Sequence, residues 1–123
     1  EVNKKLEEQF LNIGLLTMHI NLNQDDINEK LNVIQTKNVY FLLKECISNT
    51  IKHSAAKNIW IDIEFNKNKC KVYFSDDGGG SKAAENEGLG IKGMKESAKH
   101  LNGTLELTNT PTGLSISIEF VIG

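Results

Sequence analysis

The chain has 123 residues, 39% hydrophobic and 24% charged, which is enough apolar material for the core of one domain. The formal net charge of -2 argues against a nucleic-acid-binding protein, because nucleic-acid recognition requires a basic face. No run of about 18 apolar residues occurs, so we expect no membrane contact by this domain. These features predict a single cytoplasmic domain spanning residues 1–123, monomeric in isolation.

The first third of the chain holds three predicted segments of different character. The chain begins with Glu1 rather than methionine, which indicates a piece of a longer protein. Residues 2–14 have the apolar spacing of a short amphipathic helix. Alternating apolar and polar residues over 18–22 predict a half-buried strand. Residues 23–34 are polar, and we expect them to be irregular.

A long helix followed by a strand hairpin is predicted for the middle of the chain. Residues 36–54 have helical periodicity, and residues 59–65 and 70–75 alternate with period two around a turn at 66–69. The broad apolar side of the helix consists of Val39, Leu42, Leu43, Cys46, Ile47, Thr50 and Ile51. In the hairpin, every second side chain of both strands is apolar, so one face should pack on the core.

The last third predicts a helix and two more strands. Residues 77–90 contain five glycines and break the alternation. A helix is predicted over 91–102, with Gly103 suited to the position just past its end. Strands are predicted over 104–109 and 114–121. The order of elements indicates an α+β fold, a two-layer α/β sandwich with one mostly antiparallel sheet and helices on one face.

The cysteines and two of the histidines are predicted to have structural roles. Cys46 and Cys70 lie in apolar periodic segments without metal-ligand spacing, which indicates buried free thiols. His19 falls on the non-core face of its strand, so we expect it to be exposed or to have a structural role. His100 lies in the last turn of a helix, where it can interact with the helix dipole.

The polar side of helix 36–54 is the first candidate for chemistry. Glu45, Asn49, Lys52 and His53 share one stripe about 100° wide, which groups a carboxylate, a carboxamide, an ammonium and an imidazole. Such a stripe is also compatible with an ordinary solvated surface.

Asp76 is the second candidate, because strand parity turns it inward with Cys70, Val72 and Phe74. A buried carboxylate is costly unless donors hydrogen-bond it. Asp76 therefore either caps the following turn or accepts a hydrogen bond from a ligand group such as an exocyclic amine.

Two glycine-rich turns follow Asp76. Gly78 and Gly80 belong to the first, and Gly88 and Gly90 belong to the second, which opens a helix at Ile91. Glycines let a ligand approach the backbone closely, and main-chain amides at a helix N-terminus form a phosphate site.

Three ordered motifs resemble those of the GHKL ATPase/kinase superfamily. Residues 45–53 (ECISNTIKH) resemble its N box, 76–80 (DDGGG) its first glycine box, and 88–94 (GLGIKGM) its second. The resemblance covers roughly residues 16–121 and implies the Bergerat-type ATP-binding fold. The chain is most similar to the catalytic domains of bacterial sensor histidine kinases that partner LuxR-type response regulators. Residues 95–97 (KES) depart from the Arg-Glu-Arg common there, and a serine stands at the place of the second arginine.

The resemblance implies ATP and Mg²⁺ as cofactors and assigns the N box to catalysis and phosphate binding. Asn49 would supply an oxygen ligand to Mg²⁺, and Glu45 would orient water on that metal or assist proton removal from the accepting histidine. Lys52 and His53 would meet phosphate oxygens, although His53 could instead stack near the sugar.

The resemblance also implies roles for the glycine boxes. Asp76 would accept a hydrogen bond from the adenine amino group, and Gly78 and Gly80 would let the chain turn beneath the nucleotide. The second box would hold the β- and γ-phosphates through Gly88, Leu89, Gly90 and Ile91. The segment 81–87 between the boxes would be a short lid.

The function implied is transfer of the γ-phosphate of ATP to a histidine on a separate dimerisation domain, from which residues 1–14 would lead. A LuxR-type response regulator would act downstream. Two alternatives remain open: an anti-sigma-factor-type serine kinase that carries the same boxes, and a nucleotide-sensing module that binds ATP without transfer.

Overall fold

A computed structural model describes residues 16–53, 56–78 and 91–122, apart from the side chains of His53 and Asn109. The strands are β1 (Thr17–Asn21), β2 (Asn58–Asn66), β3 (Lys69–Asp76), β4 (Thr104–Thr110) and β5 (Gly113–Val121). The helices are α1 (Gln24–Lys30), α2 (Val33–His53) and α3 (Ile91–His100). The helix predicted over 2–14 lies outside the described residues.

The five strands form one sheet in the order β1-β2-β3-β5-β4. β1 pairs with β2 in parallel, and the other three pairings are antiparallel. The β2–β3 hairpin turns at Lys67, whose φ of 57° is left-handed. The predicted α+β class, with a mostly antiparallel sheet, is confirmed.

The two faces of the sheet differ sharply in polarity, because side chains alternate along every strand. The inner face supplies most of the core, and the buried side chains of α2 and α3 pack onto it. The opposite face has Trp60 and Tyr73, which are partly exposed, among polar residues. His19 lies there, stacked on Trp60 with ring centroids 5.3 Å apart. The exposed position predicted for His19 is confirmed.

The prediction that residues 23–34 are irregular is wrong. α1 begins after Asn23, whose side chain accepts a hydrogen bond from the main-chain N–H of Asp26, and it buries Ile27. A helix with a single buried apolar residue gives almost no periodic signal, although its capping residue and acidic first turn were readable.

α2 begins three residues earlier than predicted, because Asn32 and Gln35 form a reciprocal cap. The main-chain N–H of Gln35 donates to Oδ1 of Asn32 at 2.8 Å, and that of Asn32 donates to Oε1 of Gln35 at 3.1 Å. These bonds satisfy two donors at the helix start.

α3 ends at His100, and its left-handed residue is Asn102 rather than Gly103. Asn102 has φ of 53°, and the main-chain N–H of Gly103 donates to the carbonyl of Ala98 at 2.9 Å. This pattern closes a helix through a residue in the left-handed region. Glycine is required at position 103 for a steric reason, because a Cβ there would lie 2.9 Å from the carbonyl oxygen of Glu119.

Candidate functional site

The polar stripe of the N box lies at the C-terminal end of α2. Asn49 is buried, Glu45 is half-buried one turn earlier, and Lys52 is exposed. His53 is the last residue of α2, and its side chain lies outside the described part of the chain. The stripe is therefore not a uniformly solvated surface, because its central carboxamide is only 4% exposed.

Asp76 ends β3 and points inward, as strand parity predicted, with 5% of its surface exposed. Its carboxylate accepts hydrogen bonds from three different parts of the fold. Oδ1 accepts from the main-chain N–H groups of Gly78 at 3.0 Å and Leu114 at 3.2 Å. Oδ2 accepts from the hydroxyl of Thr50 at 2.8 Å. These donors offset the cost of burying the charge and fix the carboxylate where α2, β3 and β5 meet.

Gly113 allows β5 to begin beside Asp76. Its φ of 152° is one that side chains rarely adopt, and a Cβ there would collide with the carbonyl oxygen of Asp76. Only glycine fits, because both the backbone angle and the space exclude a side chain. The close approach brings the donating N–H of Leu114 onto the carboxylate.

Asp77 points away from Asp76 and secures the start of β2. Its Oδ1 accepts from the main-chain N–H groups of Lys57 at 2.8 Å and Asn58 at 2.9 Å, and its Oδ2 accepts from the Asn58 side chain at 2.9 Å. The Asn58 side chain, followed by these main-chain donors, lowers the pKa of Asp77. Two consecutive aspartates thus have different positions, one buried and one exposed.

The pKa of the Cys46 thiol is affected by the acidic side chains that lie near it on α2 and β3. Burial raises the pKa of the Cys46 thiol well above its usual range, and the carboxylates of Glu45 and Asp76 raise it further. Burial also raises the pKa of Cys70, to about 12. Both cysteines are free and buried, as predicted, and both remain neutral thiols at physiological pH.

Comparison with protein-family models decides the class of this fold and site. The model for the histidine kinase-, DNA gyrase B- and HSP90-like ATPases matches residues 35–122, which include α2 from its third residue onward, Asp76 and both glycine boxes. The chain belongs to this ATPase family. The resemblance predicted from three motifs, and the ATP-binding catalytic domain it implied, are thereby confirmed.

Curated relatives of this ATPase-family domain are sensor histidine kinases. The chain is 31% identical over 106 residues to the sensor histidine kinase ComP of Bacillus subtilis, covering 82% of this chain and 14% of ComP. It is 31% identical over 93 residues to the sensor histidine kinase DesK of the same organism, covering 73% of this chain and 25% of DesK. The chain thus spans a quarter or less of each of these relatives.

Solved structures share the fold of this ATPase-family domain. The Acinetobacter baumannii histidine kinase AdeS superimposes with a TM-score of 0.74 at 19% identity, covering 98% of this chain and 62% of that one. The histidine kinase domain of the Erythrobacter litoralis EL346 blue-light activated histidine kinase gives 0.79 at 16% identity, covering 95% and 61%. At these identities the likeness concerns the fold.

In the site of this ATPase-family domain, the side chain of Asn49 has a buried hydrogen-bond donor without an acceptor among the described residues. Its side-chain Nδ2 is buried and has no hydrogen-bond partner within the described ranges. Buried polar atoms are rarely left unpaired, and each such atom costs about 1–3 kcal/mol. The carboxamide also carries an oxygen of the kind that Mg²⁺ binds. The residues present therefore fit a polar ligand, such as a metal-bound phosphate, placed beside Asn49.

Three residues of this region were missed by sequence reasoning. Thr50 was counted with the apolar side of α2, although a hydroxyl in an apolar stripe signals a buried partner. Gly113 lay in the gap between two predicted strands, and Asp77 was part of the first glycine box. No local pattern pairs either of them with a strand end, because their contacts cross between strands distant in sequence.

Several predicted residues fall outside the described ranges. Gly80, Gly88, Leu89 and Gly90 lie there, with the lid predicted over 81–87. Gly78 and Ile91 are described and are both buried. No helix within residues 16–53, 56–78 and 91–122 has the length and apolar character to cross a membrane.

Proposed function

We propose that the domain binds ATP at the end of β3, with Asp76 accepting a hydrogen bond from the 6-amino group of adenine. The observation that carries this proposal is the buried, prearranged carboxylate of Asp76 in a fold of the ATPase family. Guanine presents an oxygen at the same edge, which would face a carboxylate that offers no proton. Adenine should therefore be strongly preferred.

The phosphates are proposed to lie toward Asn49. There its carboxamide would meet the nucleotide, its Oδ1 as a ligand of Mg²⁺. Bound Mg²⁺ would neutralise charge on the β- and γ-phosphates. Glu45, half-buried one helical turn away, is suited to orient water or to receive a proton. Lys52 and His53, at the end of α2, would supply positive or hydrogen-bonding groups to the phosphates.

The glycine boxes would complete the phosphate site. Gly78 donates its main-chain N–H to Asp76, so the first box is tied to the adenine position. Ile91 opens α3, and main-chain N–H groups at a helix start attract phosphate. Gly80, Gly88, Leu89 and Gly90 retain the roles that the resemblance implies, as backbone that approaches the nucleotide closely.

The reaction proposed is phosphoryl transfer to a histidine on a separate dimerisation domain. The bond between the γ-phosphorus and its bridging oxygen breaks, a phosphorus–nitrogen bond forms to the imidazole, ADP leaves, and the imidazole releases a proton toward Glu45. Such transfer depends mainly on positioning and charge stabilisation. His19 and His100 are placed elsewhere, on the open face of the sheet and at the far end of α3. A LuxR-type response regulator is the proposed downstream partner.

The test is transfer of radiolabelled phosphate from Mg²⁺-ATP. The chain alone should remain unlabelled, and an added dimerisation domain bearing the acceptor histidine should acquire acid-labile, base-stable label. Glu45→Gln should slow the labelling by about 100-fold, whereas Glu64→Gln, on the open face of β2, should not change it.

Two outcomes would favour the other functions. Acid-stable label on a serine of a partner protein would favour the anti-sigma-type kinase. Tight ATP binding with no label on a competent dimerisation domain would favour a nucleotide-sensing module.

A further inference from the structure

Thr50 lies in the apolar stripe of α2, 2% exposed, yet its hydroxyl approaches two acceptors. Its Oγ1 lies 2.8 Å from Oδ2 of Asp76 and 3.1 Å from the carbonyl oxygen of Cys46. A hydroxyl has one proton, and the charged, nearer carboxylate is the stronger acceptor. The proton of Thr50 therefore points to Asp76, across the gap between α2 and β3.

The donors divide unequally between the two oxygens of Asp76. An ionised carboxylate offers about four acceptor positions, two on each oxygen. Oδ1 already accepts two main-chain N–H groups, from Gly78 and Leu114, whereas within residues 16–53, 56–78 and 91–122 Oδ2 accepts only the hydroxyl of Thr50. The acceptor position left open among the described contacts is therefore on Oδ2, the oxygen that Thr50 holds.

We infer that Thr50 is a positioning residue for base recognition, which fixes Oδ2 of Asp76 as the oxygen that accepts the 6-amino group of the nucleotide. This inference rests on the proposed function. Main-chain N–H groups hold Oδ1, and among the described contacts Thr50 holds Oδ2. Because rotation about the bond to the carboxylate carbon moves both oxygens together, Thr50 acts with those N–H groups to orient the carboxylate. Thr50 thus acts through Asp76, and its effect should depend on whether the nucleotide has an amino group at position 6.

The experiment compares the affinity of the full chain for ATP and for purine riboside triphosphate, which lacks the 6-amino group. Thr50→Val keeps the shape and removes the donor, so it should weaken ATP binding by about tenfold and purine riboside triphosphate binding by less than about twofold. Thr50→Ser restores the hydroxyl and should recover most of the ATP affinity. If Thr50→Val does not fold, Thr50→Ala serves in its place, with the same expected change in the ratio of affinities.

Thr36→Val is the matched control, because the same substitution is made about 20 Å away near the start of the same helix. It should leave the ratio of the two affinities unchanged. Equal weakening of both nucleotides by Thr50→Val would overturn the inference, since loss of the Cys46 contact or of packing acts on both alike. A wild-type chain that binds neither triphosphate would overturn the proposed function itself.

Discussion

Asp76 and Asn49 are two buried polar side chains in neighbouring parts of the site, yet their surroundings are opposite. Asp76 receives three hydrogen bonds, from α2, from β5 and from Gly78 in the glycine-rich turn that follows it. Asn49 has an Nδ2 atom with no partner in the part of the chain that the structure describes. The fold therefore orients the Asp76 carboxylate, the proposed base-recognition end, without a ligand, whereas Asn49, at the proposed phosphate end, retains a donor for the nucleotide.

The largest loss of stability is expected at Gly113, where the lack of a side chain allows β5 to approach Asp76. Gly113→Ala places a Cβ against the carbonyl of Asp76 at a strained backbone angle, so it should lower the free energy of unfolding by about 4 kcal/mol. Urea denaturation measures this loss. Gly93→Ala is the control, because a Cβ at Gly93 meets nothing within 4 Å and favours the helix. Equal stability of the two variants would contradict the tight approach of β5 to Asp76.

In the absence of nucleotide, truncating Asp76 and truncating Asn49 should change the free energy of unfolding by different amounts. Asp76→Ala leaves the buried main-chain N–H of Leu114 without its acceptor, so we expect the free energy of unfolding to fall by about 3 kcal/mol. Asn49→Ala should cost about 1 kcal/mol or less, because its Nδ2 has no bond to any described residue and alanine is the better helix former. If Asn49→Ala destabilised the free protein as much as Asp76→Ala, the contrast between the two ends would not hold.

Both the success and the failure of sequence reasoning are visible at Asp76. Period-two alternation along β3 was enough to turn Asp76 inward, since parity is a local property of a strand. Two of its donors are not local: Thr50 is 26 residues away in sequence and Leu114 is 38. Leu114 reaches Asp76 only because β5 lies beside β3, a sheet order that no local periodicity encodes.

The helices show the same division. α2 was predicted because its apolar stripe repeats over about three turns, whereas α1, with Ile27 as its single buried residue, was missed. The capping pair that moves the start of α2 joins Asn32, which lay inside the segment predicted to be irregular, to Gln35, which lay between that segment and the predicted helix. Short elements defined by caps, and sites defined by long-range hydrogen bonds, exceed what periodicity can predict.

The smallest effect is expected at Asp77, which lies beside the site and contacts the start of β2. Hydrogen bonds from Asn58 and Lys57 lower its pKa in the folded state below the ordinary value of 3.8. The stabilisation is therefore fully present above that ordinary value and is lost as the pH falls through the folded pKa. Asp77→Asn should be less stable than wild type at pH 7, and the difference should shrink below about pH 4.

Acid titration of unfolding for wild type and Asp77→Asn measures that difference. The relative affinity for ATP and GTP should be the same in both proteins, since Asp77 faces away from Asp76. A changed base preference in Asp77→Asn would show that the two consecutive aspartates do not have separate roles.

The most direct test of the contrast between Asp76 and Asn49 is calorimetric titration of ATP and GTP in Mg²⁺ and in EDTA. Wild type should bind ATP at least about tenfold more tightly than GTP. Asp76→Asn should abolish that preference and keep the dependence on Mg²⁺, whereas Asn49→Ala should abolish the Mg²⁺ dependence and keep the preference. If both variants lost the same property, or if wild type bound the two nucleotides equally, the division into a base end and a phosphate end would be wrong.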